Sequence, residues 1–253
     1  MWSSVLEKLS CLKGIDRQFQ AFGASSHRYE LRRCAIPAEV EKAERELGVG
    51  LPNELRSFYL EVGNGIAGPN YGLISVADLE GYRAGEPYLG VDALRQISAQ
   101  QGYPILDDRE YFEVSRDALT GILPIIEEGC GHQTCLVTTG STAGNVVYVS
   151  ADGCVSETQK SMVDLYNEWL DRELMLFEVV ARLMRDGYSY QQIDNELRTC
   201  YQAHGTGDRI VSIANVKKPV ELFGEGNHRI YHGATHFPWY ESVLKEWQRQ
   251  NRK

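Results

Sequence analysis

Apolar positions recur at helical spacing in several stretches, and the residues bounding those stretches agree with the spacing. Val5, Leu6, Leu9 and Leu12 share one face of a helix predicted over 3–13, with Ser3 or Ser4 as cap and Gly14 at its end. A polar, aromatic connector carrying Phe19, Phe22 and Tyr29 follows. Val40, Ala43 and Leu47 form the stripe of a second helix. Pro37 suits its first turn, where a missing N–H loses no partner, and Gly48 suits the left-handed position past its end. Leu51-Pro52 opens a third helix, with Leu55, Phe58, Tyr59 and Val62 on its apolar face and Gly63 after it.

The pattern then changes. Asn64, Gly65, Gly68, Pro69 and Asn70 make a turn-rich loop leading into a strand predicted at 71–76. Residues 81–110 show little periodicity and read as surface chain. The stretches 123–126, 136–139 and 145–150 read as strands. Asp152-Gly153 is a tight-turn signal before Cys154-Val155, which fits antiparallel pairing. A long helix is predicted from about Met162 to about Arg185, with Val163, Tyr166, Leu170, Leu174, Phe177, Ala181 and Met184 along one face. From Leu174 onward its other faces are apolar too (Met175, Leu176, Val179, Val180, Leu183), the mark of a buried helix or an interface. It either packs the following segment onto the domain or forms a dimer. Asp186-Gly187 stops it. A helix over 190–202, a strand over 209–216, a hairpin over 220–232 and a helix over 239–249 complete the pattern. No internal repeat is visible.

Composition narrows the functional classes. The chain has 253 residues, 43% apolar and 24% charged, which is enough to bury a real core. Lys plus Arg total 26 against 35 Asp plus Glu, a net charge of −9 that weighs against binding nucleic acid or an anionic membrane. No run approaches the ~20 apolar residues that span a bilayer. The first residues lack the basic region and long apolar run of a secretory signal. Six scattered cysteines (Cys11, Cys34, Cys130, Cys135, Cys154, Cys200) are expected to be reduced and mostly buried, which points to the cytoplasm.

An ordered series of motifs carries a family resemblance. It runs Phe22-Gly23-Ala24, His27, Tyr29, Ile36-Pro37, Glu44, Leu47-Gly48, Leu51-Pro52, Arg56, Phe58 and Asn64-Gly65. It continues through Ala67-Gly68-Pro69, Tyr71-Gly72-Leu73, Leu123-Pro124, Gly129-Cys130-Gly131, residues 146–149, Tyr166 and Trp169-Leu170. The series resembles the SUKH superfamily, which includes fungal Smi/Knr cell-wall-synthesis regulators and many bacterial toxin-immunity proteins. Ile66 departs from it, because the bacterial pattern usually has a second glycine there. The resemblance spans roughly residues 19–174. It implies an α+β fold with a mixed, mostly antiparallel sheet packed against helices. Residues 1–174 then form the SUKH-like domain with its N-terminal helix, and 175–253 an α/β C-terminal extension packed on it. The resemblance also implies a non-catalytic protein whose partner is a toxin, often one that attacks nucleic acid.

Candidate chemistry competes with that expectation at a few positions. His228, His232 and His236 stand four apart, but Gly226, Gly233 and Pro238 break a helix there. On a strand they would spread over more than about 25 Å, too far for one ion. Cys130, His132 and Cys135 lack a paired Cys-x-x-Cys spacing for zinc, and Cys130 with His132 is too close in sequence for an activated nucleophile. Gly63, Gly65 and Gly68 follow a helix and precede a strand, the reverse of a phosphate-cradling loop. Residues 186–198 faintly resemble a helix-turn-helix but carry few basic residues. No catalytic residue, metal ligand or cofactor is therefore expected.

The sequence points to a cytoplasmic immunity protein that occludes a toxin domain, which would be basic and nuclease-type. The expected contacts are an exposed loop of Asn64, Gly65, Gly68, Pro69, Asn70 and Tyr71, with Asp107, Asp108, Glu127 and Glu128 as acids facing the partner. Two alternatives stand beside it. One is a regulatory or scaffold protein without a toxin partner. The other is an enzyme using the histidines of the extension.

Overall fold

A computed structural model describes residues 1–17, 19, 21–81, 83–102, 114–151, 153–189 and 192. Asp107, Asp108, the cysteine at 200, the three histidines of the extension and the elements expected beyond 189 lie outside the described residues. By contacts the chain divides into two units, residues 1–4 with 26–167 and residues 5–25 with 168–253.

In the first unit the two proline-led helices form where expected. Helix α3 is Pro37–Leu47, after α1 at Ser3–Ile15 and the short α2 at Ala24–His27. The Glu39 carboxylate reaches back to accept the Ile36 N–H, and Gly48 takes φ +71° at the end, its N–H returning to the Glu44 carbonyl. Helix α4, Asn53–Ser57, widens into a π turn over Phe58–Val62. Leu55, Phe58 and Tyr59 of this stretch are fully buried.

Four strands form one antiparallel sheet in the order β1-β2-β3-β4: Ile122–Gly129, His132–Val137, Val146–Val149 and Val155–Glu157. Register sorts the side chains. Ile122, Cys135, Val137, Val147, Val149 and Val155 pack with Leu94, Val114 and Leu119. Leu123, Leu136 and Val146, aligned across three strands, occupy the opposite face and are also buried. The sheet thus carries buried apolar side chains on both faces.

Three expectations need correction. The strand predicted at 71–76 shrinks to single bridging residues, followed by a 3₁₀ turn over Val76–Asp78. The surface chain expected at 81–110 contains a helix, α5, at Val91–Gln101, which places Leu94 in the core. The first helix runs past Gly14 to Ile15.

In the second unit, Val5, Leu9 and Leu12 of α1 are buried, and Lys8 pairs with Asp171 at 2.7 Å. Asp171 lies on α6, the long helix Met162–Arg185. Gly187 at φ +83° and the return bond from Tyr188 N–H to the Leu183 carbonyl end it at the predicted place. Glu173 is buried in this helix beside Arg172, at 3.3 Å. Burial raises its carboxyl above the ordinary range, Arg172 opposes that shift and Asp16 adds to it. No helix among the described residues is long and apolar enough to cross a membrane.

Candidate partner-binding surface

The loop after the third predicted helix is built into the edge of the sheet. Ile66 and Leu73 exchange backbone hydrogen bonds at 2.9 and 3.0 Å, and Leu73 bridges Ile126 of β1. The Ile74 N–H donates to the Ile125 carbonyl at 2.9 Å. On its other side Ile66 bridges Leu31, and the Ala67 N–H donates to the Glu30 carbonyl. Single-residue bridges therefore extend the sheet outward from β1 to residue 31.

This arrangement corrects the picture of an exposed loop. Gly65, Gly68 and Pro69 are buried, along with Ala67. Asn64 is half-buried and its side-chain oxygen accepts the Val76 N–H at 2.8 Å, so it braces the loop from behind. Asn70, at φ +51°, and Tyr71 form the corner of a turn closed by the Gly72 N–H on the Pro69 carbonyl. Asparagine tolerates the left-handed region better than most residues. Tyr71 is 45% exposed and is the residue this loop offers to solvent as a large side chain.

The structure sets Tyr71 beside the end of β1 that carries two of the four acids singled out from sequence, Glu127 and Glu128. A β-carbon on Gly129 would stand 3.0 Å from the Tyr71 ring, so the tyrosine lies against the end of β1. Glu127 and Glu128 immediately precede that glycine. Glu127 is exposed and accepts the Gln133 side-chain N–H at 2.7 Å, its register partner across the ladder. Glu128 sits at the irregularity between Glu127 and Gly129, half-buried, and accepts the Thr134 hydroxyl. Gly129-Cys130-Gly131 all take positive φ and turn the chain into β2. The result is a ridge of Tyr71, Glu127 and the hairpin tip with Cys130 and His132, all exposed.

Cys135 is buried in the sheet, where burial and the two glutamates push its thiol up, while Cys130 and His132 are exposed. No group of three His, Cys, Asp or Glu among the described residues is placed to hold a metal ion. Cysteine burial is also corrected: Cys135 and Cys154 are buried, but Cys11 and Cys130 are exposed, and no disulfide forms among the described residues.

Residues that the sequence marks only as motif or core positions support this surface from beneath. His27 is 2% exposed, its Cβ lies near Gly72, and its Nδ1 accepts the Tyr29 N–H at 3.0 Å. Burial lowers its pKa from 6.5 to about 4, so it stays neutral near pH 7. The Tyr59 and Tyr166 hydroxyls reach loop carbonyls from the core.

A helical layer led by two proline-started helices, a four-stranded antiparallel sheet and a loop stitched to its edge define the class. Residues 35–169 match the SMI1/KNR4 family (SUKH-1), and the chain belongs to it. Within that family it is similar to immunity protein YxxD of Bacillus subtilis (strain 168), with 36% identity over 93 residues. That alignment takes in 34% of this chain and 58% of the relative, so the chain spans somewhat over half the length of the curated relative it matches. No solved structure matches the chain.

Proposed function

We propose that this protein is a non-catalytic, cytoplasmic immunity protein that binds a toxin effector domain and blocks it, using residues 1–174. The observation that carries the reading is family membership together with similarity to a protein named as an immunity protein. Contact is assigned to the ridge of Tyr71, Glu127 and Glu128. Tyrosine buries large area at low entropy cost, and the exposed Glu127 carboxylate, with half-buried Glu128 behind it, suits a partner rich in Lys and Arg. A net charge of −9 supports a basic, nuclease-type partner. Gly65, Gly68 and Pro69 shape this surface rather than touch the partner.

The test is co-expression with the toxin domain encoded beside this gene. Rescue of growth, with a complex that co-purifies, is the expected result. Continued killing with no complex overturns the proposal. Recovery of envelope or signalling proteins instead favours the regulatory reading.

A further inference from the structure

Ile66 and Leu73 close a hairpin whose corner carries Asn70 and Tyr71, and single-residue bridges tie its arms to Leu31 on one side and Ile126 on the other. Each arm is also gripped from the core by a buried phenol. The Tyr166 hydroxyl donates to the Ala67 carbonyl at 3.0 Å, and the Tyr59 hydroxyl donates to the Ile74 carbonyl at 2.8 Å. The two side chains are 1% and 0% exposed, so neither reaches a partner. Burial raises both phenols above the usual tyrosine range, which keeps the donated proton in place.

The grip is tight on the loop side as well. A β-carbon at Gly68 would stand 2.8 Å from the Tyr166 hydroxyl oxygen and 3.0 Å from the Leu73 nitrogen. Tyr166 itself is fixed by ring contacts with Phe58 at 5.2 Å and Trp2 at 6.0 Å. The Trp2 indole N–H donates to the Ser57 hydroxyl at 2.9 Å. Trp2 lies outside the stretch that matches the family.

We propose that Tyr59 and Tyr166 are positioning residues of the partner-binding surface: their hydroxyls hold the two arms of the 66–73 hairpin and so set the Tyr71 ring against Gly129. The proposal rests on the reading of Tyr71 as a contact residue. It predicts that affinity is tunable from the core, by residues that never meet the partner.

The test uses the full chain and the conservative variants Tyr166→Phe and Tyr59→Phe, which keep the rings and delete the hydroxyls. Amide hydrogen exchange over 66–73 is expected to rise about tenfold in each, while β2 and β3 keep their protection. Gly68→Ala is expected to loosen the same segment, and less so in the Tyr166→Phe background, where part of the clash is gone. Affinity for the toxin domain encoded beside the gene should fall in the phenylalanine variants and in Tyr71→Ala. Exchange that rises evenly across the sheet, or does not rise at all, overturns the positioning role. Full affinity in Tyr71→Ala with local loosening in Tyr166→Phe means that the contact reading has failed and the grip has not.

Discussion

Ile66 holds φ at +83°, in the left-handed region that a β-branched side chain resists. The family resemblance places a glycine there, and the backbone keeps the shape a glycine would take. Such a conformation costs about 1–3 kcal/mol and persists only where the surroundings impose it. Bridges to Leu31 and Leu73 on either side impose it here. Ile66→Gly therefore relieves strain while losing a half-buried side chain, and unfolding free energy by denaturant titration should stay within about 1 kcal/mol of the parent. Leu73→Ala, at the buried partner in the same bridge, should cost about 2–5 kcal/mol. His27 makes a second prediction. Its pKa is 6.5 when unfolded and about 4 when folded. Burial is the cause, and its acceptor role toward the Tyr29 N–H also needs the neutral ring. Between those values the unfolded chain binds a proton that the folded one refuses. Stability is intact above pH 6.5 and falls as pH drops toward 4, by up to roughly 3 kcal/mol. His27→Gln should remove that slope when variant and parent are compared across the range.

At the level of elements, two glycines with positive φ separate backbone preference from packing. Gly48 ends α3 at φ +71° with nothing within 4 Å of where a β-carbon would stand, so Gly48→Ala should cost only the backbone penalty, about 1 kcal/mol. Gly72 has φ +93°, and a β-carbon there would collide with the Ile66 carbonyl oxygen, so Gly72→Ala should open the hairpin and cost about 3 kcal/mol or more. Thermal melts of the two variants measure the contrast. Gly48 is legible from sequence because its signal is local: an apolar stripe ends and a glycine follows. The helix α5 is not, because its stripe is thin, with Leu94 and Ser98 as its buried positions. The strand expected at 71–76 fails for a related reason. Alternation reports which side chains face inward, and one bridging residue satisfies that as well as a strand does. Glycines and a proline in series read as an exposed loop, whereas here they allow buried backbone to pass close to Tyr166 and Leu73. Tyr71 and Glu127 are each visible in the sequence as residues. That Tyr71 lies against Gly129, two residues past Glu127, is not, because it depends on the Leu73–Ile126 bridge between segments far apart in the chain.

At the scale of the whole molecule, the net charge of −9 acts before any contact forms. Exposed charges steer an oppositely charged partner over distances comparable to the screening length, about 10 Å at 0.1 M salt and about 3 Å at 1 M. Steering changes the rate of encounter more than the lifetime of the complex. If the proposed partner is a basic toxin domain, its association rate should fall about tenfold or more between ~0.02 M and ~0.5 M salt, with dissociation little changed. Glu127 is exposed on the proposed ridge and its carboxylate accepts a hydrogen bond from the neutral Gln133 side chain, so Glu127→Gln should slow association while leaving the fold intact. Tyr71→Ala should act on the other rate: it removes buried contact area, which shows as faster dissociation. Stopped-flow kinetics of the parent and both variants across a salt series separates the two effects. A salt-independent association rate would remove charge from the recognition argument and leave the tyrosine ridge to carry it alone.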